Sequence, residues 1–83
     1  MYILKVTLNQ QILAVRHYKV FQNALADVAD YKFAESLPKN TAETLGNPEI
    51  YCGSKDNNDI ADDFEFRYNN GVCVYIGVVF TQD

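Results

Sequence analysis

The chain has 83 residues, 48% of them hydrophobic, with a formal net charge of −4 and an isoelectric point of about 4.7. A chain of this length forms one domain that buries roughly 60–65% of its unfolded surface and needs no staples to fold. The acidic balance argues against a dedicated nucleic-acid-binding domain, which is usually basic over a whole face, and no apolar run approaches the ~20 residues of a membrane span.

Tyr2, Leu4, Val6 and Leu8 alternate with Ile3, Lys5 and Thr7, the period-two pattern of a half-buried strand. The polar Asn9-Gln10-Gln11 predicts a short hairpin loop, and Ile12 to Arg16 or slightly beyond predicts a second strand. Lys5 and that polar loop also interrupt the apolar stretch a secretory leader needs, so a soluble, cytoplasmic protein is expected. From Phe21 to about Ser36 the period lengthens: Phe21, Ala24, Leu25, Val28, Ala29 and Tyr31 share one half of a helical wheel, opposite Asn23, Asp27 and Asp30. This predicts the main helix, with the Asp27 and Asp30 carboxylates in water and Leu37-Pro38 closing it. A second, very short helix follows, capped by Asn40 with Glu43 three residues on and stopped near Gly46. Glu49 to Cys52 reads as a short strand, and Gly53 to Asp63 as a polar loop.

Phe64 to Phe80 holds the longest apolar run and the clearest turn signal. Asn70-Gly71 suits the two positive φ values of a two-residue type I′ turn. That turn would set Tyr68 opposite Cys73, Arg67 opposite Val74, Phe66 opposite Tyr75 and Phe64 opposite Gly77, giving one aromatic face of Phe64, Phe66, Tyr68, Cys73, Tyr75 and Val79. The run Val72 to Phe80 is apolar on both sides and belongs in the middle of a sheet, since on an edge it would be an aggregation-prone segment. Gly77, opposite Phe64 in that register, reads as a packing concession to the ring or as a bend. The expected fold is α+β: four or five mostly antiparallel strands with one main helix on one face, in the order β-β-α-β-β-β.

Cys52 and Cys73 are too few and too widely spaced for a disulfide framework or a zinc site, and both are expected reduced, with at least one buried. The only histidine is His17, so a Cys–His nucleophile has no local signature. The four glycines are scattered singly, which leaves no phosphate-binding loop. Arg16-His17-Tyr18-Lys19 has the composition of a small nucleic-acid contact but reads better as a strand end with solvated tips. No catalytic residue, cofactor or metal is expected; in a calcium loop beginning at Asp56, Ile60 would occupy a ligand position and Ala61 would replace the required glycine.

Charge is unevenly distributed. Residues 1–26 carry +3, residues 27–54 carry −3, residues 55–65 carry −4 and residues 66–83 cancel. The third stretch holds Asp56, Asp59, Asp62, Asp63 and Glu65, the candidate partner-binding residues. Such a run commonly does no more than keep a loop solvated. Read functionally, it points to a small acidic non-catalytic module, an inhibitor or regulator of a larger protein or protein–nucleic acid complex with a basic surface, and not itself a binder of nucleic acid or membrane. In size, acidity and composition the chain resembles small phage or mobile-element proteins that inhibit host defence complexes. The alternatives are a homo-oligomer, a dimer for instance, joined through strand edges, or a small-ligand-binding subunit with a site of Tyr and Cys side chains.

Overall fold

The computed structural model describes residues 1–52 and 63–78. The elements are β1 (Tyr2–Leu8), β2 (Gln11–Tyr18), α1 (Phe21–Ala29), a 3-10 helix (Lys32–Ser36), α2 (Lys39–Glu43), β3 (Glu49–Cys52), β4 (Asp63–Arg67) and β5 (Val72–Val78). The five strands form one antiparallel sheet in the order β2-β1-β5-β4-β3. This is the expected α+β architecture, with the doubly apolar β5 at its centre, flanked by β1 and β4. No helix among the described residues is long and apolar enough to cross a membrane.

One face of the sheet is the core. Leu4 and Val6 of β1, Val72, Val74 and Ile76 of β5 and Phe66 of β4 are buried beneath Ala24 and Val28 of α1, with Phe33 and Leu37. A buried side chain of this size contributes roughly 1.5–3 kcal/mol. Phe33, fully buried, explains why the main helix is shorter than its hydrophobic pattern predicts. On a continuous helix Phe33 would point about 140° away from Val28, five residues earlier. Instead α1 ends at Ala29, Tyr31 adopts the left-handed conformation (φ 56°, ψ 28°), and the 3-10 helix brings Phe33 to within 5.6 Å of the Tyr68 ring. A non-glycine residue there costs about 1–2 kcal/mol, which the burial of Phe33 offsets.

The hairpin differs from its expected form. Arg67 pairs with Cys73, Phe66 with Val74, Glu65 with Tyr75 and Asp63 with Gly77. The Tyr68 N–H donates to the Val72 carbonyl at 2.9 Å, so Asn69, Asn70 and Gly71 make a three-residue loop in which only Gly71 has positive φ (91°). The slip exchanges faces: Phe64, Phe66 and Tyr68 join Val72, Val74 and Ile76, whereas Cys73 and Tyr75 join Glu65 and Arg67 on the other side. The aromatic face expected from the two-residue turn therefore does not form. The physical reason is desolvation, because that register would have put Glu65 and Arg67 beneath the helix with Val72, Val74 and Ile76. Val79 lies outside the described residues.

The turn with two positive φ values is Asn9 (50°) and Gln10 (74°), between β1 and β2, and Gln11 already belongs to β2. The two hairpin ends touch: the Asn9 N–H donates to the Gly71 carbonyl at 2.9 Å, and a Cβ on Gly71 would run into the Asn9 side chain. Gly71→Val is thus expected to destabilise the fold by about 1–3 kcal/mol, from backbone strain with added crowding. A thermal melt decides this, and an unchanged Tm would refute it.

The short helix α2 has Pro38 rather than Asn40 at its N-cap and no side-chain cap, and it ends at Glu43, ahead of Gly46. Proline suits that boundary because φ is preset and no N–H is lost. The Asn70 amide donates to the Thr41 carbonyl and to Thr44 Oγ1, both at 3.0 Å, which ties the hairpin loop to α2.

Candidate binding face

The second face of the sheet carries no buried side chain among the described residues. Across it, Val15, Lys5, Tyr75, Glu65 and Tyr51 are cross-strand neighbours in one row that spans all five strands. Glu65 is the centre of a polar array. Arg67 donates to its Oε1 from Nε at 3.0 Å and Nη2 at 2.8 Å, and the Cys73 thiol donates to its Oε2 at 3.1 Å. These bonds, Cys73 first and Arg67 second, hold the Glu65 carboxyl below its ordinary range. The Arg67 guanidinium lies 4.2 Å from the centre of the Tyr51 ring, and Lys5 Nζ lies 5.4 Å from that of Tyr75.

Tyr75 leans along its own strand over Gly77 and donates its hydroxyl to Asp63 Oδ2 at 3.3 Å. A Cβ on Gly77 would sit 2.7 Å from two Tyr75 ring carbons, so the glycine is a concession to a ring. The ring is Tyr75, and Phe64, the partner expected for Gly77, faces Ile76 instead. Surface pairs of this kind stabilise by about 0–1 kcal/mol each, so the array's chief effect is to hold its side chains in one arrangement.

Cys73 is a free thiol, and burial, followed by the Glu65 contact, pushes its pKa up to about 11. It is protonated at neutral pH and a poor nucleophile. His17, the only imidazole, is exposed on β2 opposite Ile3, on the order of 16 Å from Cys73 by strand and residue spacing. A Cys52–Cys73 bridge is out of reach, because β4 lies between β3 and β5 and separates their backbones by about 9.5 Å, beyond the ~7 Å limit. In a Cys52→Ser variant at pH 7.5, Cys73 should react slowly with a disulfide reagent until denaturant is added. Equal rates with and without denaturant would show that the fold does not shield it.

Of the sequence-predicted partner-binding residues, Asp63 opens β4 and Glu65 follows two positions later, both on this open face. Asp56, Asp59 and Asp62 lie outside the described residues. Lys5, Tyr51, Arg67 and Tyr75 were not singled out by the sequence, since only the three-residue hairpin register brings Tyr75 and Cys73 alongside Glu65. No group of three or more His, Cys, Asp or Glu among the described residues is placed to hold a metal ion.

A second cluster sits on the helix side. Arg16 Nη1 donates to Asp27 Oδ2 at 3.0 Å and the Tyr18 hydroxyl donates to the same oxygen. Asp27 is only 4% exposed, which corrects its expected place in water, and Arg16 and Tyr18 are not the solvated tips expected of them, although His17 and Lys19 are exposed. The helical wheel correctly puts Asp27 opposite Leu25 and Ala29, but β2, the edge strand beside β1, supplies a guanidinium and a phenol on that side. No family model, curated protein or solved structure matches the chain.

Proposed function

We propose that this protein is a small non-catalytic binding module that docks the open face of its sheet, together with the acidic stretch leading into β4, onto a basic surface of a larger protein or protein–nucleic acid complex. One observation carries the proposal: Asp63 and Glu65 share with Tyr51, Tyr75 and Arg67 a face that none of the other described residues covers, their side chains held in place by hydrogen bonds and ring contacts. Tyr and Arg are enriched at the energetic centres of interfaces, and carboxylates attract a basic partner over the ~8 Å Debye length of physiological salt, which speeds association and sets register. An inhibitor or regulator working in the cytoplasm, of the kind phages and mobile elements encode against host defence, has this character.

The test begins with capture of the partner from the source cell and continues with Asp59, Asp62 and Asp63 changed together to Asn. Stability should change by no more than about 0.5 kcal/mol, as is usual at surface positions, because the new amide oxygen at position 63 still accepts from the Tyr75 hydroxyl. Affinity should fall more than about tenfold, roughly 1.4 kcal/mol, and its salt dependence should flatten. Displacement by duplex or guide nucleic acid would identify a nucleic-acid mimic, and its absence a plain acidic interface. Unchanged affinity with an unchanged salt slope would mean that the carboxylates serve only to solvate the loop.

A further inference from the structure

On the helix side of the sheet, away from the open face, a cleft of about 300 Å³ lies between the end of α1 and β4. Its walls are Leu25, Val28, Tyr31, Pro48, Phe66 and Tyr68, and none of its lining residues is charged. The break in the main helix accounts for it: Tyr31 turns outward to 43% exposure while Phe33 takes the buried position, so among the described residues no large side chain fills the space beyond Val28.

One polar atom of the cleft is unused. Tyr68 is 94% buried, its ring packed against Phe33, and its hydroxyl finds no hydrogen-bond partner among the described residues. Among the described residues, the side-chain oxygen that is both unpartnered and sealed from solvent is Asp27 Oδ1, whereas the Tyr68 hydroxyl keeps an opening, which is this cleft. Burial, with Tyr31 adding a smaller effect, pushes the Tyr68 pKa up to about 12, so at neutral pH the group is a hydrogen-bond donor.

We infer that the cleft binds a small neutral aromatic molecule whose single hydrogen-bond acceptor meets the Tyr68 hydroxyl. The volume is at the lower end of ligand sites, enough for one or two rings. The aromatic lining of Tyr31, Phe66 and Tyr68 suits a planar apolar body. An ionised ligand would be desolvated against walls that carry no countercharge. This site is independent of the open face and of the proposed partner.

The probe is acetophenone, with ethylbenzene as the match of similar shape that lacks the acceptor. In a titration followed by NMR of the whole chain, acetophenone should give saturable shifts confined to Leu25, Val28, Phe66, Tyr68 and their neighbours, and should bind about tenfold more tightly than ethylbenzene. Tyr68→Phe, which keeps the ring, should bring the two probes to parity, and Ala29→Trp, on the exposed rim of the cleft, should block both. Absence of saturable shifts, shifts scattered elsewhere, a preference for acetophenone that survives Tyr68→Phe, or undiminished binding to Ala29→Trp would each overturn the inference.

Discussion

Replacing Arg16 with methionine is expected to destabilise the protein by about 3 kcal/mol, and adding Asp27→Leu is expected to restore most of that loss. Asp27 is 4% exposed and both of its protein hydrogen bonds converge on Oδ2, one from Arg16 and one from Tyr18, while Oδ1 has no partner. Without Arg16 the carboxylate stays buried with one phenol bond and no countercharge. Removal of one member of a buried pair typically costs about 3–5 kcal/mol, and the 31% exposure of the Arg16 side chain puts this case at the lower end. For a domain of this length, with a total stability of about 4–12 kcal/mol, that is a large share. The double variant removes the stranded charge and fills its place with apolar volume. Urea unfolding at neutral pH measures both, with unchanged m-values as the check that the end states are preserved. A single variant within about 0.5 kcal/mol of the parent, or a double variant no better than the single, would show that the pair is not the buried structural element described.

The fold should also come apart in alkali over a defined window. Tyr68 ionises at about 12 in the folded protein because burial disfavours the phenolate, against an ordinary value of 10. Its neutral form is favoured by folding, so its contribution is complete below pH 10 and is lost as pH rises through 12, about 3 kcal/mol in all. Cys73 behaves in the same sense, contributing fully below its ordinary 9 and losing that contribution through about 11. Tyr18 and Tyr75 are also raised, each chiefly by burial, with Asp27 and Asp63 respectively reinforcing the shift. Circular dichroism from pH 8 to 12.5 should show a cooperative loss of structure above pH 10, together with late-ionising phenols by ultraviolet absorbance. Tyr68→Phe should move the transition to higher pH, whereas ordinary titration of all six tyrosines near pH 10 in an intact fold would contradict the burial of Tyr68.

Much of the fold was legible in the residues alone. Alternation from Tyr2 to Leu8, the change of period at Phe21 and the doubly apolar run after Gly71 are local patterns, and they specified two amino-terminal strands, a helix, a short third strand and a carboxyl-terminal hairpin with its last strand in mid-sheet. The acidic composition of residues 55–65 was equally plain, and Asp63 and Glu65 do stand together on the open face. Tertiary structure alone decided the rest, because each remaining question was a competition between local preference and burial. Asn70-Gly71 favours a two-residue turn, but the three-residue loop keeps Glu65 and Arg67 out of the core, and that one-residue slip creates the Glu65–Arg67–Cys73 array. Tyr31 breaks the helix against its own backbone preference because Phe33 gains more by burial. Asp27 leaves water because Arg16 and Tyr18, from the strand just before α1, fold back to meet it at the edge of the helix. Periodicity reports which side of an element is apolar; which partner waits on the other side depends on the packing of the whole chain.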